Sequence, residues 1–169
     1  DLDNNLAYMR GTDAVIPMRP FFGSIGVAPP VLRGRVSSNP PGHHTGNLDN
    51  KELVVGTTLY LPVHVPGGLL SIGDGHAAQG DGEVSGTAIE TSMSGVIEVQ
   101  LYKDQNLLWP RAETPTHYIS MGLHTDLDEA ARSATREMIN FLVTEKGMDR
   151  GDAYILCSVA LDLRVTQLV

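Results

Sequence analysis

Asp74, His76, Asp81 and Glu83 put three carboxylates and one imidazole within ten residues. They sit in Gly73-Asp74-Gly75-His76-Ala77-Ala78-Gln79-Gly80-Asp81-Gly82-Glu83, where four of eleven residues are glycine. Carboxylate oxygen with imidazole nitrogen is a donor set that suits zinc or a similar divalent ion. The same groups can also move protons. In an extended strand end, residues i and i+2 point the same way, so Asp74 and His76 can face one ion. Asp81 and Glu83 repeat that spacing, which makes Asp81 a further ligand and Glu83 a general base. The glycines let the backbone approach a bound group closely. A plainer reading makes both Gly-Asp-Gly units tight turns whose carboxylates bond their own backbone.

A second loop has a similar character. Asn39-Pro40-Pro41-Gly42-His43-His44-Thr45-Gly46-Asn47-Leu48-Asp49 offers imidazole, amide and carboxylate groups. Its residue types are also those of an exposed turn, and spacing alone leaves both readings open. No serine stands in Gly-x-Ser-x-Gly; Ser85 and Ser92 are the hydroxyls near the first loop.

Strands should hold these loops. Leu69 to Ile72 is a short apolar run leading into the first loop. Leu59, Leu61, Val63 and Val65 alternate with Tyr60, Pro62 and His64, as a strand with one covered face would, and Pro62 moves it toward a sheet edge. Val84 to Thr91, Ser94 to Lys103 and His117 to Met121 read as three more strands. Glu90 and Glu98 fall on them, with a solvated sheet face as their default, though Glu90 follows the motif closely enough to stay a functional candidate. Residues 16–30 carry four prolines and two glycines, an extended, turn-rich run with no room for a helix. Arg19 within it reads first as a surface ion pair.

Near Thr125 the period changes. Asp126 can cap a helix, with Glu129 three residues on. Leu127, Ala131, Ala134, Met138, Phe141 and Leu142 follow at helical spacing, and Gly147 closes the run. A second helix is expected over about Asp149 to Leu161, then a closing strand over Leu163 to Val169. The expected fold class is therefore β-rich α/β: a sandwich-like sheet core, a helical pair near the C-terminus and a closing strand. Cys157 on the second helix reads as a buried, inert thiol. His64, His117 and His124 read as solvated or structural.

The first motif, running on through Val84 to Gly86-Thr87-Ala88-Ile89-Glu90, resembles the acetamidase/formamidase family. Met18-Arg19-Pro20-Phe21-Phe22-Gly23, Ala28-Pro29, Gly46-Asn47-Leu48-Asp49 and Asp162-Leu163-Arg164-Val165-Thr166-Gln167 agree with it, so the resemblance covers nearly the whole chain. It implies hydrolysis of short linear amides, formamide or acetamide or close to them, giving ammonia and a carboxylate. A divalent metal, zinc for preference, is the expected cofactor. The resemblance also promotes His44, Asn47 and Asp49, which match a His-x-Gly-Asn-x-Asp pattern. Asn47 and Asp49 become substrate-binding candidates. His44 becomes a catalytic one, as a further ligand, a substrate-orienting group or, without metal, the acid–base partner of Glu83. Thr45 stands where the family pattern would place glycine. A homo-oligomer is expected on the same grounds.

Composition sets the outer limits. With 169 residues and 41% hydrophobic content, the chain can bury a real core. Residues 1–169 read as a single domain, the central piece of a longer chain, since Asp1 replaces a starting methionine and Gln167-Leu168-Val169 lies in an apolar run. A net charge of −8 speaks against nucleic acid, which is bound through basic faces. No apolar run approaches the roughly 20 residues that span a bilayer, and no membrane partner is expected. A lone cysteine fits a reducing, cytoplasmic setting. The rival to an amidase is a non-catalytic β module that binds calcium or sugar through acidic glycine-rich loops.

Overall fold

Frequent proline and glycine keep the strands short and leave the longer regular elements to the C-terminal part. The computed structural model describes residues 1–169. Strands β1 (Leu6–Tyr8) and β2 (Val15–Pro17) form a two-stranded antiparallel ribbon. Strand β3 (Phe21–Gly26) is the centre of a three-stranded sheet, flanked by β4 (Thr45–Asn47) and β6 (Ser71–His76). Strands β5 (Thr58–Tyr60), β7 (Arg111–Glu113) and β8 (Tyr118–Ser120) make a second three-stranded sheet in the order β5-β7-β8. All these pairings are antiparallel. Helices α1 (Leu127–Lys146) and α2 (Arg150–Ala160) follow. The β-rich α/β architecture with a helical pair is thus the one expected.

The helix boundaries follow from their caps. The Asp126 side chain accepts from the Glu129 amide, and Gly147 ends α1 in a left-handed conformation. Asp149 caps α2 by accepting from the Gly151 and Asp152 amides. Ile139 of α1 packs on Ala153 and Cys157 of α2, which is where the inert thiol belongs. Burial pushes that thiol's pKa up, away from reactive thiolate. A second core joins Leu48, Leu53, Ala112 and Met121, tying the loop after β4 to the β5-β7-β8 sheet. Ser120 Oγ donates to the Ala134 carbonyl at 2.8 Å and fastens α1 to that sheet.

Several expected strands are shorter or missing. Of the alternating Leu59 to Val65 run only the start is a strand, in β5, because Gly56 turns the chain before it and Pro62 withholds a donor after it. Val84 to Thr91 makes a single bridge, Glu90 to His76. Ser94 to Lys103 forms no strand. Its alternating side chains meet no neighbouring strand, and Val96, Val99 and Leu101 are exposed. The closing strand over Leu163 to Val169 is absent as well. That segment bonds the glycine-rich loop instead, with Gly82 donating to the Val165 carbonyl and Leu168 donating to Gly82.

Candidate functional site

The β4-β3-β6 sheet brings the two unusual loops together. Asp74 and His76 lie on β6, and the loop that follows β4 carries Asp49. Gly23 of β3 falls in register between Phe22, opposite Gly75, and Ser24, opposite Gly73. A Cβ at Gly23 would meet Asp49 Oδ1 at 2.5 Å, Asp74 Oδ2 at 2.7 Å and His76 Cε1 at 2.8 Å. Only glycine leaves room for these three side chains to converge on that side of the strand.

His76 is the hub. Its Nε2 is 3.2 Å from Asp74 Oδ1 and 3.3 Å from Glu90 Oε2. Its Nδ1 is 3.0 Å from Gln79 Oε1 and 3.9 Å from Asp49 Oδ1. The ring packs edge-on against Phe21, with centroids 5.1 Å apart. Glu90 arrives because Ile89 and Thr91 bond β6 and the residues just after it: Ala77 donates to Ile89, Ile89 to Ala78 and Thr91 to Gly75. Two overlapping groups have ligand atoms within 4.8 Å of one another, Asp49 with Asp74 and His76, and Glu83 with His76 and Glu90.

The electrostatics of the cluster are unbalanced. Asp49, His76 and Glu83 are buried, whereas Asp74 and Glu90 lie open to solvent. Asp49 is held up to about 7, first by burial and then by the Glu83 and Asp74 carboxylates, with His76 opposing. Asp49 Oδ1 is buried and has no hydrogen-bond partner. Its Oδ2 accepts from Gln167 Nε2 at 2.6 Å. Four carboxylates surround one imidazole, and one buried carboxylate oxygen is unpartnered. Each of the two groups, Asp49 with Asp74 and His76, and Glu83 with His76 and Glu90, has the donor chemistry for a divalent ion.

The backbone is strained at the same residues. Asp49, Asp74 and Glu83 all have positive φ, at 45°, 63° and 40°. So does Thr45, at 64°. A β-branched residue at such a φ is an outlier. Strained non-glycine residues gathered at one point are a mark of functional sites.

Not every candidate joins the cluster. Asp81 turns outward to Lys51 at 3.0 Å and Arg164 at 3.9 Å. Those ammonium and guanidinium groups satisfy it, so it does not stand with Asp74 and His76. His44 lies beside Arg33, His43 and His64, and burial followed by those neighbours lowers its pKa. Asn47 is at the edge: its Oδ1 accepts from Ser24 Oγ at 2.9 Å, and Ser24 Oγ is also 3.3 Å from Asp74 Oδ2. Arg19 pairs with Glu52 on the surface. Glu90, Gly23, Gln79 and Gln167 belong to the site without having been singled out by spacing. Glu90 and Gln79 were within reach of the motif, but Gly23 and Gln167 acquire meaning only when the chain folds back.

The family model described as the Acetamidase/Formamidase family matches residues 30–169. The chain belongs to the acetamidase/formamidase family. It is 48% identical over 66 residues to a formamidase of Methylophilus methylotrophus, a match that spans 38% of this chain and 16% of that protein. Among solved structures, an acetamidase from Yersinia enterocolitica superposes with a TM-score of 0.93 at 37% identity, over 98% of this chain and 49% of that one. An acetamidase from Bacillus halodurans gives 0.83 at 38% identity, over 95% of this chain and 54% of that one. The chain thus spans about half the length of these two solved relatives of the family.

Proposed function

We propose that the cluster around His76 is an amidase site that hydrolyses short linear amides, formamide, acetamide or a close analogue, to ammonia and a carboxylate. The observation that carries this is the convergence of His76 with Asp49, Asp74, Glu83 and Glu90 in a member of the acetamidase/formamidase family. A divalent cation, zinc by its donor set, would polarise the amide carbonyl and acidify a water. Asp74 and His76, with Asp49, have ligand atoms close enough together to hold it. Asp74 and Glu90 form the open side, so the amide enters there. Water adds to the carbonyl carbon, the C–N bond breaks, and the nitrogen leaves with a proton.

Glu83 is the general base in this reading. It lies beside Asp49, whose carboxyl is held up to about 7. The Glu83 carboxylate would take the proton of the attacking water and return it to the leaving nitrogen. Asn47 and Ser24, next to Asp74, are placed to orient the amide.

Self-association fits the same protein, because Tyr154, Ile155 and Val159 leave an apolar strip exposed on α2. The net charge of −8 disfavours a nucleic-acid partner. No helix is long and apolar enough to cross a membrane. The test is ammonia release from a panel of formamide, acetamide and longer amides by the full-length protein. Release from at least one supports the proposal. Cation binding without ammonia from any of them would favour a non-catalytic binding module.

A further inference from the structure

Gln79 makes three hydrogen bonds, and their pattern fixes its amide. Two main-chain carbonyls, of Asp49 at 2.8 Å and Thr166 at 3.2 Å, lie against one end of the side chain. Carbonyls only accept, so that end is Nε2, and both its hydrogens are used. The other end is therefore Oε1, which only accepts. It is 3.0 Å from His76 Nδ1, so Nδ1 must carry the hydrogen. Nε2 faces Asp74 Oδ1 at 3.2 Å and Glu90 Oε2 at 3.3 Å, and a divalent cation can take this nitrogen only when it carries no hydrogen.

We propose that Gln79 is a positioning residue that fixes His76 with its hydrogen on Nδ1 and thereby leaves Nε2 as the nitrogen a divalent cation beside Asp74 would take. The inference rests on the metal-assisted reading above for its cation, but the placement of the hydrogen stands on the Gln79 contacts alone. Gln79 also links three separate parts of the chain: the loop after β4, the end of β6 and the C-terminal segment. Its two carbonyl anchors prevent the amide from flipping, so it is a fixed acceptor. A partner on the far nitrogen of a metal-binding histidine typically changes metal affinity about 10–100-fold.

Nitrogen-15 NMR of the histidines in full-length protein, prepared without metal, reads the placement directly. Zinc titration of the same samples reads its consequence. Wild-type His76 should carry hydrogen on Nδ1 alone. Gln79→Met should lose that preference and weaken zinc binding about 10–100-fold. Gln79→Glu, which keeps an acceptor at the same reach, should retain the Nδ1 hydrogen. Hydrogen on Nε2 in the wild type, alone or together with Nδ1, would overturn the proposal whether or not the variants fold. An unchanged ring in a folded Gln79→Met protein would also overturn it. If the wild type shows the Nδ1 hydrogen and Gln79→Met loses it while zinc fails to bind either, Gln79 keeps its positioning role and the metal reading falls.

Discussion

Asp49 stands in the least comfortable position of any side chain in the cluster. It is buried, its backbone is left-handed, one of its oxygens has no partner, and its neighbours are mostly carboxylates. Its pKa is raised from 3.8 to about 7, so the folded state favours the neutral acid more than the unfolded chain does. The stability it contributes is fully present below pH 3.8 and is lost as pH rises through about 7. In thermal melts of metal-free protein over that window, Asp49→Asn should lose less stability than wild type as pH rises. Bound zinc should shrink the difference. Gly23 is the other residue whose change is sharply defined. Gly23→Ala places a methyl against Asp49, Asp74 and His76. Overpacking of this kind costs about 1–3 kcal/mol, and zinc affinity should fall with it, which isothermal titration would show.

At the scale of elements, α1 must lie against the strand end that precedes it. A Cβ on Gly122 would fall onto the backbone at Ala130 and Ala134. Backbone cannot yield as a flexible side chain can, so Gly122→Ala should cost at least the roughly 1–3 kcal/mol of ordinary overpacking in a denaturant melt. Asp126→Ala removes a helix cap and should cost about 0.5–2 kcal/mol. The helices were the most legible part of the sequence, because caps and period are local signals. The Asp74 and His76 pair was legible too, since spacing i and i+2 on a strand fixes the side they share. Asp81 and Glu83 have the same spacing, yet the chain turns there rather than extending. Glu83 goes in and Asp81 goes out to Lys51. Residues 94–103 alternate as a strand should, but alternation describes side chains and cannot supply a neighbouring strand. Gln167 reaches Asp49 from 118 positions away, which no local pattern announces.

The molecule as a whole is a scaffold in which β3 presents a bare strand position to two loops and the C-terminal segment closes over them. Its exposed apolar strip on α2 predicts association in solution. Sedimentation of the full-length protein should give a species heavier than one chain, and replacing Tyr154 and Ile155 with polar residues should shift it toward the monomer. The central claim concerns the cluster, and metal content measured beside ammonia release tests it most directly. Full-length wild type, Asp74→Asn, His76→Ala and Glu83→Gln would be compared on the amide that wild type turns over fastest. The account predicts that Asp74→Asn and His76→Ala lose metal and turnover together. It predicts that Glu83→Gln keeps nearly all its metal and loses about 10²–10⁴ in rate, the contribution of a general base. Full turnover by His76→Ala, or by wild type stripped of metal, would contradict it.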